Sequence, residues 1–276
     1  MKTTRICFIG CGNMGNSLIG GLLADGYNRE LVCGADPDAK QRNKLKDRYD
    51  IEVYESNGEA VTGADVVVLA VKPQVMQATL TDISGALTGR PALIISIAAG
   101  IRISSINRWL GAPLPIVRAM PNTPALIRTG VTALYGNNMV SAGHRELAES
   151  IMRSVGTVLW VDDEASMDTV TALSGSGPAY FFLVMEVLEK AALEFNLPPD
   201  QARLLILETA LGAAKMAVES ACDAAELRRQ VTSPGGTTEQ ALNVLVRGNI
   251  EKLFLQAVTA ARNRSIELAE TLGGDG

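Results

Sequence analysis

The sequence is short of the side chains that carry out chemistry on their own. It holds a single histidine, His144, in a polar turn, SAGHRE, where it reads as an exposed residue at a helix start. Histidine triads, histidine metal clusters and a histidine acid–base catalyst are therefore poorly supported, so any chemistry is borrowed from a cofactor. The four cysteines, Cys7, Cys11, Cys33 and Cys222, lie in or beside apolar runs and lack the spacing of a zinc site or a secreted disulfide framework. They read as reduced core thiols. No block of like charge stands out among 25 basic and 30 acidic residues, and the net charge of -5 argues against nucleic acid as a partner. No apolar stretch reads as long enough for a membrane span, and the strand pattern starting at Arg5 leaves no room for a signal peptide. A cytoplasmic protein with no membrane partner is the expectation.

What is present is apolar and small. Of 276 residues, 47% are hydrophobic but only 4% aromatic, a composition suited to close-packed helices and parallel sheets and sufficient for a core without staples. From residue 5 to about 161, short apolar runs alternate with helical segments. Strands are expected at Ile6–Gly10, Leu31–Ala35, Val66–Val71, Leu93–Ile97, Ile116–Met120, Val131–Tyr135 and Val158–Val161. Runs of this kind, apolar on both faces, belong to a doubly wound, mostly parallel sheet with helical crossovers. Beyond residue 164 the strand signals stop, and Ala/Leu/Glu-rich helices follow, broken at SGSGP, NLPPD and SPGG. The division expected is 1–163 for an α/β domain of Rossmann type and 164–276 for an all-α domain. Stretches such as AALGAAKMA and FLQAVTAA carry more apolar surface than one short bundle needs. Association of subunits is one use for it; a tight monomeric bundle is the other.

The strongest motif is GCGNMG, with Gly10, Gly12 and Gly15 directly after the first strand and directly before a helix that Asn13 opens. The first glycine permits the turn, the second lets backbone approach a pyrophosphate, and the third packs helix on strand, while the helix N-terminus attracts phosphate. Asp36, at the end of the second strand, permits two readings. It can accept the adenosine ribose 2′-hydroxyl, favouring NADH over NADPH, or it can cap the helix opened by DPDAKQ with Pro37 in the first turn. Lys40 and Arg42 lie close enough to attract a phosphate instead. AVKP (Ala70, Val71, Lys72, Pro73) and SIAAG, which includes Ala98, end later strands, where open sheets bind ligands; an isolated Lys72 equally fits a solvated loop. RAMPNTPA (118–125) is a stiff turn, and SGSGPAY (174–180), which includes Ser176, leads into a helix. SPGGTT (233–238) exposes glycine N–H groups and the hydroxyls of Thr237 and Thr238 at a helix start, suited to a small carboxylate. The same spacing also reads as a capping box, with Thr237 as cap and Gln240 at the third position.

Taken together and in this order, GCGNMG, AVKP, SIAAG, RAMPNTPA, LSGSGPAY and SPGGTT closely resemble the pattern of the pyrroline-5-carboxylate reductases over essentially the whole chain. The resemblance implies a Rossmann domain, an all-helical dimerisation domain, NADPH or NADH as cofactor, and homodimers that assemble further into decamers of five dimers. It also implies hydride transfer to 1-pyrroline-5-carboxylate, giving L-proline. Carried over residue by residue, Gly10, Gly12, Asn13, Met14 and Gly15 would hold the pyrophosphate and Asn57 the adenosine side. Ala70, Val71, Lys72, Pro73 and Ala98 would line the ribose and nicotinamide side. Ser176, Ser233, Gly235, Gly236, Thr237 and Thr238 would take the substrate, with Thr238 as the candidate hydrogen-bond donor to the ring nitrogen. Asp36 departs from the family, whose NADPH-preferring members carry a small hydroxyl or basic residue there. A rival, the β-hydroxyacid and 6-phosphogluconate type of dehydrogenase, places a catalytic lysine on the first helix after the linker; here Lys190 comes too late. A second rival is a cofactor-sensing module without turnover, which would have no reason for the SPGGTT loop.

Overall fold

The computed structural model describes residues 3–89 and 92–274. Among them, eight strands form one sheet in the order β3-β2-β1-β4-β5-β6-β7-β8: β1 (Ile6–Ile9), β2 (Val32–Ala35), β3 (Glu52–Tyr54), β4 (Val66–Leu69), β5 (Leu93–Ser96), β6 (Ile116–Pro121), β7 (Gly130–Gly136) and β8 (Gly156–Trp160). Strands β1, β2, β4 and β5 are buried at every position, because helices cover both faces of the sheet and leave no place for a polar side. The mostly parallel α/β expectation holds. Chain reversal between β1 and β4 in the strand order leaves a switch point, where the ends of β1, β2 and β4 open together.

Four details differ from the sequence reading. Strand β3 was not foreseen, since it is three residues long and only half-buried at the sheet edge, too short to display a period. Gly10, Ala70, Val71 and Ile97 fall just beyond their strands, and Leu31 lies in a short turn before β2. Strand β7 runs antiparallel to β6, with Val117 opposite Gly136 and Pro121 opposite Thr132, because the eight-residue span 122–129 is too short for a helical crossover. The apolar length of 166–194 was also underestimated. Helix α7 (Ser166–Val170), a π-type turn (Thr171–Gly175) and α8 (Gly177–Glu194) form a stretch long and apolar enough, by length and composition, to cross a membrane. Its glycines, Pro178 and serines masked that continuity in the sequence.

The remaining helices are α1 (Asn13–Ala24), α2 (Ala39–Tyr49), α3 (Asn57–Val61), α4 (Met76–Ser84), α5 (Ile103–Leu110) and α6 (Ala142–Arg153), then α9 (Pro199–Glu219), α10 (Ala224–Gln230), α11 (Thr237–Arg247) and α12 (Ile250–Gly273). The chain divides into two compact units at other points than 163/164. The first comprises Met1–Ser176 with Ala260–Gly276, the second Gly177–Thr259. Residues 164–176 and 260–273, assigned to the helical half from the sequence, fall in the first unit, where polar groups join them to each other and to α5. Ser265 Oγ donates to the buried Asp168 carboxylate at 2.7 Å, and Ser105 Oγ donates to the Gly273 carbonyl at 3.3 Å. Of the thiols, Cys7, Cys11 and Cys33 are core groups as expected, whereas Cys222 is exposed, lying between α9 and α10. His144 is the third residue of α6 and completes a capping box with Ser141, a role that uses its Nδ1 as acceptor.

Candidate active site

The first unit carries the glycine turn. Gly10 adopts φ +91, and a side chain there would bring Cβ within 2.7 Å of the Ala70 carbonyl oxygen. Only glycine fits between the ends of β1 and β4. Gly15 is closed in the same way, with its absent Cβ 2.3 Å from the Gly10 carbonyl oxygen, so helix α1 sits directly on the turn. Gly12 differs: a Cβ there would meet nothing within 4 Å. Gly12 is also the N-cap of α1, and no side chain caps that helix. Open space in front of uncapped helix N–H groups fits the pyrophosphate of a dinucleotide, as the sequence motif expects.

Asp36 is joined to that turn. Its Oδ2 accepts from the Cys11 N–H at 2.8 Å, and its Oδ1 from the Asp38 N–H at 2.9 Å. It does not cap α2. That helix starts at Ala39, and its N-cap is Asp38, whose Oδ1 accepts from the Lys40 N–H at 2.8 Å. The cap reading of Asp36 and Pro37 is therefore corrected: the Asp36 carboxylate is taken up by the Cys11 and Asp38 N–H groups, and the cap falls two residues later on Asp38. Asp38→Ala is expected to lose about 1 kcal/mol of stability, visible as a lower denaturant midpoint. An unchanged midpoint would remove Asp38 as a cap that matters. Burial, and then the charge of Asp36, push the Cys11 thiol up to about 12, so this cysteine in the glycine turn stays neutral and unreactive.

Around the ends of β4 and β5, Lys72 is exposed and starts the turn Pro73–Val75. Ala98 is buried beyond Ser96. Asn57 opens α3, and its Nδ2 donates to Asp82 at 3.2 Å. The loop from 97 to 102 is held from two sides. Gly100 packs against α12, where a Cβ would lie 3.2 Å from that of Leu268. At its other end the Ile103 N–H donates to Glu164 Oε1 at 2.8 Å, and the same oxygen accepts from Arg118 Nη1 at 2.8 Å. Arg118 is almost fully buried. Sequence reasoning missed Glu164, for which nothing in its surroundings offered a signal. In RAMPNTPA, Asn122 closes the β6–β7 turn, its Oδ1 accepting from the Val131 N–H at 2.9 Å. Met120 reaches toward Gly175, where a Cβ would lie 2.5 Å from its methyl. Ser176 follows the π-type turn, and the nearby Ser174 hydroxyl is buried with no hydrogen-bond partner among the described residues, an orphan that a ligand can satisfy.

The second unit carries SPGGTT. Helix α11 starts at Thr237 with Gly236 as N-cap and no side-chain cap. The capping box with Thr237 and Gln240 is therefore absent: Thr237 already lies inside the helix and is exposed, while Thr238 is half-buried. Gly235 adopts φ +72, and its N–H donates to the Glu239 carboxylate at 2.8 Å. The loop thus already receives one carboxylate on a glycine N–H. Lys190 pairs with Glu186 one turn earlier, at 2.5 Å on an exposed face of α8.

Comparison with known proteins places both units. Residues 164–268 match the family model described as pyrroline-5-carboxylate reductase dimerisation, and residues 5–100 match that of the NADP oxidoreductases, coenzyme F420-dependent. The chain is 53% identical over 273 residues to a pyrroline-5-carboxylate reductase of Pseudomonas aeruginosa, covering 99% of this chain and 100% of that protein. It is 35% identical over 270 residues to the Escherichia coli enzyme of the same name, covering 97% and 99%. The solved pyrroline-5-carboxylate reductase of Coxiella burnetii superimposes with a TM-score of 0.92 at 44% identity over 97% of this chain and 99% of that one. The pyrroline carboxylate reductase of Plasmodium falciparum, solved with NADP bound, gives 0.87 at 30% identity over 98% and 99%. The chain belongs to the pyrroline-5-carboxylate reductases, NAD(P)-dependent oxidoreductases of proline biosynthesis.

Proposed function

We propose that the chain reduces 1-pyrroline-5-carboxylate to L-proline as a cytoplasmic homodimer that assembles further into decamers, and that it prefers NADH. The observation that carries the chemical reading is the pair of uncapped helix starts, at Gly12 and at Gly236. Each presents backbone N–H groups and partial positive charge to an anion, the first to a pyrophosphate and the second to a small carboxylate. When bound, the reduced nicotinamide supplies the hydride. The iminium carbon of the substrate is already electrophilic, so the protein has to orient, neutralise and donate. The Gly10–Gly15 turn holds the cofactor and Asp36 accepts the ribose hydroxyl. Lys72 and Ala98 border the nicotinamide side. Ser233, Gly235, Gly236 and Thr237 take the substrate carboxylate, and the Thr238 hydroxyl hydrogen-bonds the ring nitrogen, with water as the alternative source of its proton. None of these roles requires histidine.

Association is supported by the apolar residues exposed on the second unit, among them Phe181, Phe182, Val187, Leu204, Val244 and Phe254, within the region that matches the dimerisation model. A face of that kind is unstable in water unless a second copy covers it. The test of the function follows absorbance loss from NADH and from NADPH with 1-pyrroline-5-carboxylate; no consumption of either would overturn it. Sedimentation at micromolar concentration tests the assembly, and a monomer there would refute it.

Asp36→Ser is expected to improve NADPH use selectively. It removes one repulsion from NADPH and one hydrogen bond to NADH, each on the order of 1 kcal/mol, so the NADPH to NADH ratio of kcat/KM should rise about thirtyfold. An equal change for both cofactors would refute the ribose role.

A further inference from the structure

We propose that Glu55 is a selectivity residue of the dinucleotide site, which keeps the Arg42 guanidinium away from any 2′-phosphate. The inference rests on the reading that the adenosine ribose meets the end of β2. On charge alone, Lys40 and Arg42, just past Asp36, would draw a phosphate to that place. The fold disposes of Arg42 otherwise. The Asp36 N–H donates to the Tyr54 carbonyl at 3.2 Å, so the ends of β2 and β3 lie side by side, and Glu55, the residue after β3, comes abreast of the turn that follows β2. Arg42, early in α2, folds back onto this junction. Its Nη1 donates to the carbonyls of Asp36 at 2.8 Å and Pro37 at 2.9 Å, and its Nη2 donates to Glu55 Oε2 at 3.0 Å.

Two carbonyls fix the guanidinium fork and a carboxylate neutralises it. The Arg42 side chain is 17% exposed and that of Glu55 78%, so the arginine is the anchored member and the glutamate the removable one. A guanidinium cannot be silenced by losing its proton; only a counter-ion does that. A 2′-phosphate beside Asp36 therefore meets two carboxylates and an arginine already engaged. A 2′-hydroxyl carries no charge and meets no such obstacle. Because the glutamate is solvated, the pair contributes little to stability, so the effect of Glu55 falls on ligand choice.

The test is titration of NADH and NADPH into the purified full-length enzyme, followed by nicotinamide fluorescence, with melting temperature recorded in parallel. Glu55→Gln should tighten NADPH binding about tenfold, the effect of one charge-assisted hydrogen bond, and leave NADH affinity and melting temperature in place. Arg42→Ala in the Glu55→Gln background should abolish the gain. The inference is overturned if Glu55→Gln leaves the NADPH to NADH affinity ratio unaltered, or if the gain survives Arg42→Ala in that background, since the freed arginine would then not be what serves the phosphate. Asp36→Ser separates the two levels. If it shifts the ratio while Glu55→Gln does not, the inference alone falls; if it shifts nothing, the assignment of the ribose to β2 falls and takes the inference with it.

Discussion

A Gly12→Val variant is expected to keep its fold and lose its dinucleotide. Residue 12 has φ -65 and ψ -168, a conformation open to any residue, and a Cβ there meets nothing within 4 Å. Within the protein, then, valine costs little. The space it fills is the one through which backbone N–H groups must reach a pyrophosphate. Losing two hydrogen bonds to a charged group, at about 1.5 to 3 kcal/mol each, raises the cofactor Kd by roughly a hundredfold or more. Calorimetric titration and a thermal melt on the same preparation measure both halves of the claim. Gly15→Ala provides the contrast, because its Cβ would lie 2.3 Å from the Gly10 carbonyl oxygen, and stability should fall there. A folded Gly12→Val protein with unaltered cofactor affinity would sink the assignment of the turn.

The second large effect is expected at Thr238. Its hydroxyl makes no cap bond at the start of α11, where Gly236 holds the cap position, so Thr238→Ala should leave the melting temperature nearly unchanged. Removing a hydrogen bond to the ring nitrogen should cost about 1 to 3 kcal/mol of transition-state stabilisation, a tenfold to hundredfold fall in kcat/KM for 1-pyrroline-5-carboxylate, with cofactor affinity preserved. On spacing alone, Thr237 looked like the residue whose loss would show in stability. Since it does not cap, Thr237→Ala should stay within about 0.5 kcal/mol of the parent, as an exposed position does. Steady-state kinetics and melts on both variants decide the matter; a normal kcat/KM in Thr238→Ala would remove the hydroxyl from the chemistry.

The glycine turn was legible because three constraints coincide within six letters: a strand end, two close backbone approaches and a helix start. Asp36 was not decidable in the same way. The segment DPD offers a carboxylate on either side of a proline, and only the backbone shows that Asp38 caps while Asp36 reaches the Cys11 N–H. The ties at Glu164 were out of reach, because its partners Arg118 and Ile103 are 46 and 61 residues away and a lone glutamate in DDEAS has no pattern to betray it. In the helical half, apolarity was plain to read. Which side of each helix faces its own unit was not, since small apolar residues surround α9 almost uniformly and no periodic stripe marks one face.

The first unit is completed by the last part of the chain. Asp168 is buried against Ser265, and the Ser105 hydroxyl donates to the Gly273 carbonyl, with the whole of 177–259 lying between these pieces in sequence. Synthesis runs in one direction, so the sheet emerges from the ribosome early and its closing helix late. Closing so long a loop adds little entropy beyond that of a shorter one; what it adds is delay. Until the final turns of α12 are made, a carboxylate meant for the interior stands in water. A premature stop between Trp160 and Ser265 therefore leaves an incomplete nucleotide-binding half, although every strand and the whole glycine turn have already been translated.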